Sequence, residues 1–334
     1  MQGVLVSQWQ PFDQLTLQEL PLPEIADNEL LLRVHAAGMS FATSLVVQGK
    51  YQRKPPLPFV PGTEVAGVVA HVGAKVTRFK PGDRVCSVLD WGGLAEFAAA
   101  KEVNVYALPD SLDFPPAISF TNSYATSAAA LTWPHLLNLQ AGQTLLVHGA
   151  AGGVGLAAIE IGKILGATVI ATAGSAEKLA VARAHGADHV INYREQAFRD
   201  EVLSLTKGQG VNAVYDPVGG DVFMQSLRCM APEARIMPVG FAGGDIPNIP
   251  ANLLLVKNLT VCGLNLGYYY GWSPQDMRYE FEPRMRATLQ QLFDWFVEGK
   301  IKPQVAATYP LAEFQQAMAD VLGRKAIGRV AVVM

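Results

Sequence analysis

The stretch TLLVHGAAGGVGLAAIEIGKILGATVIATA, residues 144–173, holds the three parts of a βαβ unit in order. Its first run, 144–150, is apolar and closes on glycine and alanine. The middle segment, 154–166, is long enough for a helix. It is apolar on nearly all sides, with Glu160 and Lys163 left on one narrow stripe, so a deeply buried helix is expected. The last run, 168–173, is again continuously apolar. Strands covered on both faces in a parallel sheet read this way, because neither face meets water.

Between the first run and the helix lies Gly149-Ala150-Ala151-Gly152-Gly153-Val154-Gly155. A pyrophosphate needs close approach to the backbone, free N–H groups at a helix N-terminus and no side chain in the way. Gly152 offers the approach and Gly155 the tight helix–strand packing. Ala150 stands where the usual G-x-G-x-x-G pattern has its first glycine. A purely structural glycine turn is the competing reading, but the flanking strand, helix and strand are the context that dinucleotide binding requires. Ala151, Gly152, Gly153 and Val154 are therefore candidate cofactor contacts. An NAD site carries Asp or Glu about 20 residues further on for the ribose hydroxyls. Here that region reads Ala171-Thr172-Ala173-Gly174-Ser175, without an acid, and Lys178 follows. With Tyr193 and Arg194 beyond, this favours the 2′-phosphate of NADP(H). Ordinary surface charge is the alternative for both basic residues.

The alternation continues outward. Residues 175–186 suit a helix with Ser175 as N-cap and Gly186 as its stop. HVIN (189–192), NAVYD (212–216), RIMPVG (235–240) and LTVCGL (259–264) are further strand candidates. Strands alternating with helices imply an open, doubly wound parallel sheet. Residues 1–110 differ: short Val- and Leu-rich runs at 30–38, 64–73 and 83–88 are punctuated by Pro and Gly, as in a β-barrel-like domain. Near the end, Met285, Leu289, Leu292 and Phe296 share one helix face closed by Gly299, a second helix spans about 312–322, and 328–333 is a strand.

The balance of 26 basic and 29 acidic residues gives a net charge of −3, which offers no footprint for nucleic acid or an anionic membrane. Half of the residues are hydrophobic, enough for sizeable cores in two domains. Cys86, Cys229 and Cys262 are too few and too scattered for a disulfide framework, and no basic, apolar leader opens the chain, so a cytoplasmic protein is expected. The six histidines show no metal-ligand spacing with any cysteine.

Across nearly its whole length the chain resembles the medium-chain dehydrogenase/reductase superfamily, and within it the zinc-free quinone oxidoreductase (zeta-crystallin-like) branch. The segments that carry the resemblance include VHAAGMSFAT (34–43), PFVPGTEVAGVV (58–69), HGAAGGVG (148–155), GADHVINY (186–193), VYDPVGG (214–220) and RKAIGRV (324–330). The resemblance implies a Rossmann-type NADP-binding domain over 123–266 and a GroES-like β-barrel catalytic domain formed by 1–122 and 267–334. Where zinc members place catalytic cysteine and histidine ligands, this chain has Ser40 and Thr63. The four-cysteine zinc lobe is absent too, so no metal is expected. The resemblance places the nicotinamide in a cleft between domains. It also implies cofactor contacts from Ser40, Thr126, the Gly240-Phe241-Ala242 turn, Leu264-Asn265-Leu266 and, at the 2′-phosphate, Arg324. Tyr51 matches a tyrosine often found at the cleft, which makes Tyr51, Ser40 and Thr126 the catalytic candidates. Each has a plainer reading: local backbone satisfaction for Ser40 and Thr126, loop packing for Tyr51, core for Phe241 and surface charge for Arg324. Tyr268-Tyr269-Tyr270-Gly271-Trp272 is either pocket lining, a subunit contact or packed core.

The expected activity is NADPH-dependent, zinc-independent reduction of quinones or related α,β-unsaturated carbonyls by direct hydride transfer, in a homodimer paired through the sheet edge near 259–265. An enoyl-thioester or alkenal reductase on the same fold, and a non-catalytic NADPH-binding protein, remain the alternatives.

Overall fold

A computed structural model describes residues 1–334, which divide into two units. One unit comprises Ser123–Asn265 and Glu298–Lys302. Its elements follow in order as α1 (Ala125–Thr132), β1 (Thr144–Val147), α2 (Gly153–Ile164), β2 (Thr168–Ala173), α3 (Ala176–Ala184), β3 (His189–Asn192), α4 (Phe198–Leu205), β4 (Val211–Asp216), α5 (Gly220–Ser226), β5 (Met230–Pro238), α6 (Ala251–Lys257) and β6 (Thr260–Val261). All six strands pair in parallel, in the order β3-β2-β1-β4-β5-β6. This is the doubly wound order of dinucleotide-binding sheets, whose direction of winding reverses between β1 and β4 and opens a crevice at the strands' carboxyl ends. On one face Leu146, Ile170, Ile191, Val214 and Ile236 bury against Phe198, Val202, Phe223 and Leu227. Each such side chain contributes about 1.5–3 kcal/mol by leaving water.

Helix α2 is buried as its apolar circumference demands, and its one acidic residue is buried with it. The Glu160 carboxylate accepts bonds from Tyr124 Oη at 2.6 Å, His185 Nδ1 at 2.8 Å and the Lys302 N–H at 3.0 Å. That last bond belongs to the short segment 298–302, which packs with this unit although the sequence reading assigned it to the other.

The second unit comprises Met1–Asn122, Leu266–Val297 and Pro303–Met334. Its seven-stranded sheet runs Val305–Pro310, Arg329–Val333, Glu29–Met39, Glu64–Val72, Arg84–Val88 and Val105–Ala107, with Phe97–Lys101 also paired to Glu29–Met39. Only the first pair is parallel. Register shifts within Glu29–Met39 let one long strand bend to serve three partners. The helix Arg278–Val297 buries Met285, Leu289, Leu292 and Phe293, the last against Phe120 at 5.0 Å between ring centroids. No helix is long and apolar enough to cross a membrane. The three cysteines are free and buried.

Candidate cofactor and reaction site

The glycines of the phosphate turn divide into two kinds. A Cβ on Gly155 would stand 2.5 Å from Gly149 O and 2.8 Å from Ala150 Cα, so the turn closes against its helix only with glycine there. At Gly152, the N-cap of α2, φ is −79° and ψ is 166°, a conformation open to any residue. A Cβ there would meet only Gly149 O, at 3.4 Å, an ordinary contact. Neither backbone nor packing requires glycine at 152. A ligand drawn up to the backbone would. The next N–H groups, at the start of α2, have no partner within the helix and suit an anion.

His148, just ahead of the turn, is fully buried. Its Nδ1 lies 2.8 Å from Thr172 Oγ1 and its Nε2 lies 2.8 Å from Ser226 Oγ. Ser226 Oγ donates its proton to Val222 O, so Nε2–H is the donor to Ser226 and Nδ1 accepts from Thr172. Burial pushes the imidazole pKa down to about 3, leaving it neutral. It ties β1, β2 and α5 together beneath the turn.

At the end of β2, Ser175 caps α3 by accepting the Lys178 N–H at 3.3 Å, the N-cap role its sequence position predicts. Gly174 leaves the space used by the following strand's exit: a Cβ there would lie 2.7 Å from Tyr193 Oη and 3.1 Å from Arg194 Nε. Gly174, Ser175, Tyr193 and Arg194 therefore meet at one surface spot, with Tyr193 and Arg194 exposed, no acid at the end of β2, and Lys178 tied to Ser175 through its backbone N–H. The Gly240-Phe241-Ala242 turn is docked on the end of β4, where Ala242 N–H donates to Pro217 O at 3.0 Å. Phe241 is exposed and is not core. Leu264 and Asn265 follow β6, half-buried and exposed respectively, whereas Leu266 opens a short helix in the other unit. Thr126 is buried in α1.

In the other unit, Ser40 caps the helix Phe41–Val47, accepting the Thr43 N–H at 3.3 Å and sharing a bond with Thr43 Oγ1 at 3.1 Å. Its hydroxyl thus has the local backbone role that its plainer reading gives it. Tyr51 is half-buried, and burial together with the Glu64 carboxylate raises its phenol pKa. Glu64, which the sequence reading passed over, is itself buried between Arg329 and Asn122, whose Nδ2 donates to it at 2.6 Å. Nothing local signals the ion pair, because its partners are 265 residues apart. Arg53 lies between the Trp91 and Trp272 rings, 5.4 and 5.5 Å from their centroids, and donates to Asp90 Oδ1 at 3.0 Å. Tyr270 is core, its hydroxyl donating to Thr121 O at 2.9 Å, while Tyr268 is partly exposed. Arg324 is exposed at φ +54°, just past the helix Phe314–Leu322. No three His, Cys, Asp or Glu side chains converge to hold a metal ion.

Two family profiles match, the alcohol dehydrogenase GroES-like domain over residues 26–110 and the zinc-binding dehydrogenase domain over 153–283. A quinone oxidoreductase-like protein 2 homolog from Nematostella vectensis is 40% identical over 311 residues, covering 92% of this chain and 82% of its own length. Among solved structures, the quinone oxidoreductase of Pseudomonas syringae pv. Tomato DC3000 superposes with a TM-score of 0.90 at 29% identity, over 100% of this chain and 99% of that one. The Escherichia coli quinone oxidoreductase complexed with NADPH gives 0.89 at 28% identity, over 100% of both. With a Rossmann-type sheet, a GroES-like unit and these relatives, the chain is an oxidoreductase and belongs to the quinone oxidoreductase family of the medium-chain dehydrogenase/reductase superfamily.

Proposed function

We propose that this chain binds NADPH and reduces quinones or related α,β-unsaturated carbonyls without a metal ion. The observation that carries the reading is Gly152, a glycine that the protein's own conformation and packing do not need, at the N-terminus of α2. Such a position fits a pyrophosphate cradled by Ala151, Gly152, Gly153 and Val154. The spot at Gly174, Ser175, Tyr193 and Arg194, with Lys178 in the first turn of α3, would take the 2′-phosphate, since no acid stands at the end of β2 itself, although Glu177 and Glu195 adjoin the basic residues in sequence. The Escherichia coli relative's complex with NADPH supports the same choice. Gly240, Phe241, Ala242, Leu264, Asn265 and Leu266 are assigned to the nicotinamide half. The catalytic assignments Ser40, Tyr51 and Thr126, and Arg324 at the phosphate, rest on resemblance.

When bound, NADPH supplies a hydride, two electrons and a proton's mass, from its C4 and is left as NADP+. The protein's work is orientation and exclusion of water, together with delivery of a proton to the reduced oxygen or to the enolate carbon. Tyr51, whose phenol is held protonated, is the side chain assigned to that delivery. Ser40 and Thr63 offer hydroxyl groups where zinc enzymes have thiolate and imidazole, and Ser40 Oγ already caps a helix, which supports metal-free chemistry. An enoyl-CoA would need cations for its phosphates. Near Tyr51, Arg53 is engaged by Asp90 and two indoles, whereas Lys50 and Lys54 are exposed, so the choice between quinone and enoyl-CoA rests on the assay below.

A homodimer is assigned through β6, the edge strand; α6, which precedes it in the chain, buries none of its residues and leaves Leu255 and Val256 exposed. Sedimentation of wild type against Leu255→Glu reads this directly. Cytoplasmic residence is the reading that three free, buried thiols support. The reaction is tested by following NADPH and NADH oxidation with 1,2-naphthoquinone and with an enoyl-CoA, with and without chelator. Chelator-insensitive turnover of the quinone with NADPH is expected. Turnover of neither substrate would leave only the NADPH-binding alternative.

A further inference from the structure

Asp216 is a fully buried carboxylate for which the reading above has no use. It ends β4, and its side chain folds back on the residues that follow. Oδ1 accepts the N–H of Val218 at 2.8 Å and of Gly219 at 3.2 Å, and Oδ2 accepts the Gly219 N–H at 3.3 Å. No cation faces it. Burial raises its pKa, against the lowering effect of those two backbone donors. A buried carboxyl without a counter-charge is costly, so what its bonds hold in place matters.

They hold the turn Pro217–Gly219, and that turn supports the nicotinamide side of the cofactor crevice in this unit. Toward the phosphate turn it offers side-chain contact alone, Pro217 Cγ standing 3.0 Å from where a Cβ would be on Gly149. On the other side the 240–245 loop is bonded to it at successive points. Ala242 N–H donates to Pro217 O at 3.0 Å, Gly243 N–H to Val218 O at 2.8 Å, and Gly220 N–H to Asp245 O at 3.0 Å. Gly219 has φ +76°, and a Cβ on it would meet the Phe241 ring at 2.8 Å, so the loop closes down on the turn itself. Asp216 Oδ1 is the acceptor that fixes the conformation of this turn, and the loop carrying Gly240-Phe241-Ala242 takes its position from the turn.

We propose that Asp216 is a positioning residue, which sets the Gly240–Ala242 turn against the nicotinamide half of NADPH through its bonds to two backbone N–H groups. The inference rests on the NADPH reading. It assigns the effect to hydrogen-bond acceptance and not to charge, so Asp216→Asn, which keeps Oδ1, is expected to behave like wild type. Asp216→Ala is expected to raise the KM for NADPH about tenfold or more. Its affinity for 2′,5′-ADP, which has the adenosine end and no nicotinamide, is expected to be unchanged. Gly243→Ala repeats the test without touching the core. Its Cβ would be 2.8 Å from Val218 O on an exposed loop, and it is expected to give the same split.

Equal loss of both ligands in Asp216→Ala, or a loss in Asp216→Asn as large as in Asp216→Ala, overturns the inference. So does a Gly243→Ala protein with wild-type KM for NADPH, and this holds even where Asp216→Ala does not fold. A wild-type chain that binds neither NADPH nor 2′,5′-ADP overturns the cofactor reading and this inference with it.

Discussion

The phosphate turn and the region around Ser40, Tyr51 and Glu64 use their residues in opposite ways. In the turn, the informative residue is one the protein does not need for itself: Gly152 has an unstrained backbone and room for a Cβ. Around Tyr51, the polar groups are already committed. Ser40 caps a helix, Glu64 is held by Arg329 and Asn122, and Arg53 is held by Asp90. A ligand's imprint is therefore visible in the first region as clearance, whereas in the second only Tyr51 carries a perturbed proton and no internal hydrogen bond.

The most severe test of that comparison is made within the turn itself. Gly152→Val is expected to weaken NADPH binding about a hundredfold while the melting temperature stays at the wild-type value. Gly155→Ala should do the reverse and lose about 1–3 kcal/mol of stability, because its Cβ meets Gly149 O and Ala150 Cα inside contact distance. Binding titrations and thermal melts on the two variants decide it. If Gly152→Val melts as early as Gly155→Ala, glycine 152 is structural and the imprint argument fails.

The same contrast explains what the sequence shows and what it hides. Strands β1, β2 and β4 are legible because a strand buried on both faces is written as an apolar run, and 168–173 falls on β2 to the residue. The edge strand β3, only half covered, still matches 189–192 because Gly186 stops the helix before it. At the other edge, the run 259–264 yields only Thr260–Val261, paired with Arg235 and Ile236 of β5. Helix α5, only seven residues long and starting directly after Gly219, has no hydrophobic period to announce it. The Glu64–Arg329 pair and the Glu160 network are invisible for another reason: each unites residues distant in the chain, and no local pattern encodes that. Asp216 was readable. Asp-Pro-Val-Gly-Gly is an Asp-led turn, and an aspartate that bonds the backbone two and three residues on is its usual use.

Between the two regions in expected effect stands Lys178. It is half-buried in the first turn of α3, next to the Gly174 spot. One charge-assisted bond to a phosphate is worth about 1.5 kcal/mol or more, so Lys178→Ala should cut the NADPH-over-NADH ratio of kcat/KM by ~10-fold and leave kcat/KM for NADH alone. An unchanged ratio removes Lys178 from the phosphate site and leaves Arg194 and Tyr193 to account for it.

Tyr51 should give the smallest effect and the sharpest reading of the second region. Burial and the neighbouring Glu64 charge both disfavour the phenolate, so the phenol pKa lies above its ordinary value and the proton is retained throughout the neutral range. Wild-type kcat should therefore be flat with pH until the alkaline region is reached, with no titration of Tyr51 in between. A half-buried phenol is also reached by water, which can protonate a reduced quinone oxygen in its place. Tyr51→Phe is accordingly expected to lower kcat only about threefold at pH 7, far below the ~100-fold of an indispensable general acid, with the KM for NADPH unchanged. Above neutrality hydronium becomes scarce while the phenol keeps its proton, so the gap between variant and wild type should widen as pH rises. If the two pH profiles run parallel, the proton comes from solvent at every pH and Tyr51 is left with packing alone. The committed groups around it would then supply orientation and no proton, and the contrast with the phosphate turn would be complete.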